Sequence, residues 1–141
     1  MAPSFSVLLR DPEWLAHRLV EGSDAARFIR VTRAAHARSP FLTDRDLGEV
    51  EIGGDVPLRD CLALDGDARL GFLFHSAFCG STLLLSALDR PGVAMGLSEP
   101  VVLNDVVGFR RRGAQPAAVA RLTDAATRLL ARPFGSGEMS V

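Results

Sequence analysis

The stretch Gly71-Phe72-Leu73-Phe74-His75-Ser76-Ala77-Phe78-Cys79-Gly80-Ser81-Thr82-Leu83-Leu84-Leu85 constrains the fold more than any other part of the chain. An apolar run stops at a turn of small residues, and a second apolar run starts at once. A buried strand passing through a tight turn into a buried helix aims several backbone N–H groups and the positive end of the helix dipole at one point. Only residues with little side chain let an anion come that close, and Gly80, Ser81 and Thr82 meet that need. The pattern predicts a phosphate-binding loop that takes a phosphorylated or sulfated nucleotide.

The surrounding sequence extends this to a fold class. Residues 70–75 read as a strand and residues 82–88 as a helix apolar on nearly every side, which needs cover all round. Residues 93–97 form a short apolar strand expected to lie parallel to the first. Val102, Leu103, Val106 and Val107 fall at helical spacing, as do Val119, Leu122, Ala126, Leu129 and Leu130, the second helix stopping before Pro133. After the turn Gly135-Ser136-Gly137, the alternation in Glu138-Met139-Ser140-Val141 reads as the start of another strand. Strand, helix, strand, helix, helix is the order of an α/β layered fold with a parallel sheet.

Upstream, Asp11-Pro12-Glu13 reads as an N-cap, a first-turn proline and an acid favoured by the dipole, opening a helix that Gly22 closes. Trp14 is read as a packing residue of that helix. Ser23-Asp24 caps a second helix with Ala25, Phe28, Ile29 and Thr32 on one face. Residues 39–60 read mostly as loop. The expected organisation is therefore residues 1–60 as a helical pair and loop, and residues 61–141 as an α/β unit. Two or three strands cannot cover the apolar faces of four or five helices, so the sequence reads as stopping inside its domain.

Composition narrows the function classes. A formal net charge of -1 gives no support for a nucleic-acid partner. No stretch is long and apolar enough to span a bilayer, and no membrane association is expected. The first residues lack the basic patch and apolar core of a secretory signal. Cys61 and Cys79 show no metal-ligand spacing and read as reduced thiols of a cytoplasmic protein. The oligomeric state is not legible.

The segment 76–84, followed by Leu88-Asp89-Arg90-Pro91-Gly92-Val93 and then Leu97-Ser98-Glu99-Pro100, resembles the sulfotransferase family. That family writes its loop roughly as Pro-(Arg or Lys)-Ser-Gly-(Ser or Thr)-Thr before a helix, with a Ser-Glu-Pro or Gly-Glu-Glu element after the next strand. The resemblance covers residues 70–107. It implies a P-loop-type three-layer α/β/α sandwich, of which residues 61–141 would be the N-terminal part, with 3′-phosphoadenosine 5′-phosphosulfate as donor. By position, Gly80, Ser81 and Thr82 would bind the 5′-phosphosulfate, with Cys79 and His75 at its margin. Glu99 would deprotonate the hydroxyl or amine of an unidentified acceptor. The chain departs from the family at Phe78, where a Lys or Arg is expected to neutralise the leaving group. His75 or Arg90 would have to supply that charge. The family's 3′-phosphate site falls outside the matching residues.

Other readings remain open at this level. Gly80-Ser81-Thr82 can serve as plain helix capping, and Glu99 before Pro100 as an ordinary helix start. Cys79 invites a nucleophile role, but the phosphatase arrangement wants an Arg six positions on, where Leu85 stands. Arg110-Arg111-Arg112 reads as a solvated helix end. A nucleotide-hydrolysing P-loop is weaker, since His75 replaces its first glycine and Ser81 its lysine. A non-catalytic module is the third reading.

Overall fold

A computed structural model describes residues 3–20, 22–64, 69–135 and 137–141. Helix α1 (Phe5–Arg10) leads into strands β1 (Trp14–Val20) and β2 (Ala25–Arg30), then helices α2 (Arg33–Arg38) and α3 (Asp44–Leu47). Strand β3 (Ile52–Pro57) and helix α4 (Leu58–Leu62) follow, then α5 (Ser81–Leu88) and β4 (Ala94–Met95). Helices α6 (Val101–Arg111) and α7 (Pro116–Leu130) precede the last strand, β5 (Met139–Ser140). Among the described residues, no helix is long and apolar enough to cross a membrane.

The main sheet is antiparallel, in the order β1-β2-β3, with Ala16 opposite Phe28 and Phe28 opposite Gly54. A separate two-stranded sheet pairs β4 with β5 in parallel, and Leu70 adds one isolated parallel bridge to Ser140. This corrects the expected architecture. A three-layer P-loop sandwich needs a parallel sheet broad enough to carry helices on both faces, whereas the parallel strands here are two residues long.

The N-terminal helical pair is likewise corrected to a hairpin. The local signals were real but began turns: Asp11 accepts from the Glu13 amide at 2.9 Å through its side chain, and its carbonyl accepts from the Trp14 amide at 3.1 Å. Gly22 (φ 78°) and Asp24 (φ 46°) then reverse the chain in left-handed conformations that a helix cannot contain. Trp14, Leu15, Ala16 and His17 are all buried, so β1 carries no simple alternation that would separate a two-sided strand from a helix. Residues 39–60, expected mostly as loop, contain α3, β3 and the start of α4.

One continuous core joins the two halves of the sequence. Trp14, Ala16, Phe28, Ile29 and Val56 of the sheet pack with Leu58 and Cys61 of α4, Val102 and Val106 of α6, and Leu122, Ala126 and Leu129 of α7. The amphipathic pattern predicted for α6 and α7 therefore meets a sheet, though an antiparallel one. Gly53 shows how tight the joint is: a Cβ there would lie 2.5 Å from Leu8 Cδ2 and 2.7 Å from the Trp14 ring. We expect Gly53→Ala to destabilise the protein by about 2 kcal/mol, since a rigid indole cannot yield cheaply. Urea unfolding would check this, and an unchanged midpoint would contradict the close packing.

The short parallel sheet is pinned from α2. Arg33 donates to Asp89 at 2.8 Å, to Glu138 at 2.7 Å and to the Ala94 carbonyl at 3.0 Å. Glu138 also accepts from the Gly92 amide at 2.5 Å, and these donors hold its carboxylate below the usual range against the opposing effect of burial. A guanidinium bridging three residues thus ties the end of α5 to β4 and to the residue before β5. Of the predicted Gly135-Ser136-Gly137 turn, Ser136 lies outside the described residues.

A candidate anion-binding cleft

Three segments converge on a cleft of about 430 Å³: residues 70–75, the start of α5, and residues 97–100 with the first turns of α6. Its lining includes His75, Ser81, Thr82, Ser98, Glu99 and Asn104. Four of the six residues expected at the site, namely His75, Ser81, Thr82 and Glu99, therefore share one concavity. Cys79 and Gly80 are exposed and lie outside its lining, at the turn that leads into α5.

Residues 70–75 do not form the expected strand; only Leu70 bridges, and the Gly71 amide donates to the Ser140 carbonyl at 2.8 Å. Gly80 sits in the left-handed region (φ 80°, ψ 16°) as N-cap of α5, and its carbonyl accepts from the Leu84 amide at 3.1 Å. An L residue adopts that conformation only under strain, so glycine is what lets the helix start this abruptly. Among the described residues, no protein acceptor takes the amides of Ser81, Thr82 or Leu83, and no side chain caps the helix. Those orphan donors stay available to an anion.

The opposite wall is held by hydrogen bonds at the two residues before Glu99. Ser98 donates through its hydroxyl to the Pro40 carbonyl at 2.6 Å, and its own carbonyl accepts from the Leu42 amide at 2.8 Å. The Leu97 amide donates to the Val141 carbonyl at 2.7 Å. Directly after them Glu99 sits at φ 46°; among the described residues the other non-glycine residues at positive φ are Asp24 and Phe78. Asp tolerates that region in turns; for Glu and Phe it costs about 1 kcal/mol or more. Strain thus falls at Glu99 in the wall of the cleft and at Phe78 in the turn that leads into α5. Glu99 Oε1 lies 3.6 Å from His75 Nε2, and the His75 Nδ1 faces the Ser76 carbonyl at 3.2 Å.

Phe78, in the position where the family places a cation, is fully exposed. Its φ of 59° lies in the left-handed region, and the basic side chain that meets Glu99 is His75. Gly96 lets Leu85 of α5, which lines the cleft, pack closely: a Cβ there would meet Leu85 at 3.0 Å.

A larger groove, about 970 Å³, lies over the antiparallel sheet and went unread in the sequence. There His17 Nε2 meets Asp44 at 2.8 Å, while Arg18 bridges Asp44 at 2.9 Å and Asp105 at 2.9 and 3.0 Å. The hydrogen bond from His17, aided by Arg18, holds the Asp44 carboxyl below its ordinary range. Reading residues 14–20 as a helix hid this cluster, because its partners come from three elements distant in sequence. Asn104 was missed in the other cleft for a similar reason: nothing local marks an α6 side chain as facing α5.

The chain matches no family model, and no curated protein and no solved structure matches it.

Proposed function

We propose that the 430 Å³ cleft binds the phosphosulfate of 3′-phosphoadenosine 5′-phosphosulfate and that the protein transfers its sulfuryl group to a hydroxyl or amine. The reading rests on the chemistry of the site rather than on a fold, since one site chemistry can be carried by unrelated architectures. The observation that carries it is the convergence of free helix-start amides and the Ser81 and Thr82 side chains with the Glu99–His75 pair. Amides and hydroxyls suit an anion of several charges, and a carboxylate within reach of the same space suits removal of an acceptor proton.

In this reading the acceptor oxygen or nitrogen attacks sulfur in line with the phosphate–sulfate bridge. The S–O bond to phosphate breaks as the new bond to sulfur forms, and adenosine 3′,5′-bisphosphate leaves with the bond electrons. Glu99 takes the acceptor proton. His75 Nε2, 3.6 Å from Glu99, is the polar partner that orients the carboxylate where Phe78 offers no cation.

Three measurements test this. Adenosine 3′,5′-bisphosphate should raise the melting temperature, whereas ATP with Mg²⁺ should not; stabilisation by ATP alone would overturn the assignment. Glu99→Gln should keep bisphosphate binding and lower turnover about 100-fold, and unchanged turnover would remove the base role. Gly80→Val, by forcing a β-branched residue to φ 80°, should tilt the first turn of α5 and abolish binding. Retained affinity would count against the amide cradle.

A further inference from the structure

The groove over the antiparallel sheet, at about 970 Å³, has more than twice the volume of the 430 Å³ cleft. Leu19 of β1, Ile29 of β2, Leu47 of α3, Val50, Phe109 of α6 and Leu122 of α7 give it an apolar lining. Small-molecule sites span about 300 to 1,000 Å³ and combine such a lining with a few placed polar groups.

The charged side chains of the lining are engaged within the protein. Arg18 is shared between Asp44 and Asp105. Arg27, which stands opposite Arg18 across β1 and β2, donates to Asp55 at 2.8 and 3.0 Å. Arg121 lies 3.5 Å from Asp24, and Arg112 is engaged as well. A charged ligand would have to break one of these pairs or bury its own charge against hydrocarbon. A neutral ligand leaves them intact.

One acceptor stays open to the groove. Asp44 takes His17 on one oxygen at 2.8 Å and Arg18 on the other at 2.9 Å, which leaves a lone pair on each. Its side chain is 65% exposed, and its lowered pKa keeps it ionised, so it accepts hydrogen bonds and donates none. The buried His17 ring, whose Nδ1 has no partner among the described residues, is held to Asp44 through Nε2.

We propose that this groove is a second ligand site, taking a neutral, largely apolar small molecule whose hydroxyl or N–H donates to Asp44. The apolar body displaces water from the sheet face between α3 and α7. The charge-assisted hydrogen bond to Asp44 fixes its orientation. The smaller cleft plays no part in this.

An NMR titration of the whole chain with indole tests it, since indole is neutral, apolar and carries one N–H. Indole should bind saturably with a Kd below about 1 mM. It should shift the amides of Arg18, Leu47, Ile52 and Phe109 and leave those of Ser81, Thr82 and Glu99 in place. N-methylindole, which lacks the donor, should bind about tenfold more weakly, as should the charged indoleacetate and tryptamine. Ala118→Trp, which fills the groove from a partly exposed position on α7, should abolish binding while leaving the far-ultraviolet circular dichroism unchanged. No saturable binding, shifts confined to the smaller cleft, equal affinity for N-methylindole or either charged indole, or full binding by Ala118→Trp would overturn the proposal.

Discussion

Replacing Arg132 by Ala is expected to cost about 3–4 kcal/mol, which is a large part of the margin that keeps a domain of this size folded. The side chain closes the bottom of the core. It donates to the carbonyls of Leu129 at 2.8 Å, Leu8 at 2.7 Å and Trp14 at 2.5 Å, with a longer contact to Asp11 at 3.4 Å. Its guanidinium carbon also lies 5.5 Å from the centre of the Phe28 ring. Burial pulls its pKa down to about 10, so the group is still charged at neutral pH. Truncation would strand the carbonyls that join α1 and β1 to the end of α7 and leave a void over Phe28. Arg132→Lys keeps the charge but cannot reach several carbonyls at once, and should recover less than half of the loss. Urea unfolding of the three proteins decides the matter; a loss under about 1 kcal/mol for Arg132→Ala would show that solvent replaces the guanidinium.

His36 should make stability depend on pH by about 2–3 kcal/mol between pH 7.5 and 4.5. The ring is buried, neither nitrogen has a hydrogen-bond partner among the described residues, and Phe134 packs edge-on at 5.5 Å. Burial, with a smaller contribution from Arg33, pulls its pKa from 6.5 down to about 4. Below the ordinary histidine pKa the unfolded chain takes a proton that the folded chain refuses, so stability falls as pH drops from about 6.5 towards 4 and then levels off. Carboxylates held low in the fold, Asp44, Asp55 and Glu138 among them, add an acid-side loss of their own at lower pH. His36→Leu separates the two: it fills the same apolar site, should be at least as stable at pH 7.5, and should lose about 2 kcal/mol less on going to pH 4.5. Equal pH slopes for the two proteins would place the proton sensitivity elsewhere.

The candidate cleft was more legible than the fold that carries it. Gly80, Ser81 and Thr82 announce a sharp helix start by their size and hydroxyls, and Ser98-Glu99-Pro100 announces another helix start directly after a short strand. These are properties of residues close in sequence. That His75 and Glu99 come within 3.6 Å is set instead by β5 lying between Leu70 and β4, a long-range arrangement no local pattern records.

The sequence by itself determined the helices that carry their own boundaries: α6 behind Pro100, α7 opened by Pro116 and stopped before Pro133, and α5 behind Gly80. Missing amides, fixed φ and a permitted left-handed residue act within one turn, so no distant partner is needed to read them. Only the tertiary structure decided that residues 14–20 and 25–30 are strands. Their apolar residues fit helical spacing as well as they fit a strand buried on both faces. The choice was made by β3, which gives β2 a second backbone partner, and by α6 and α7, which give β1 the apolar cover that a strand requires and a sequence window cannot contain.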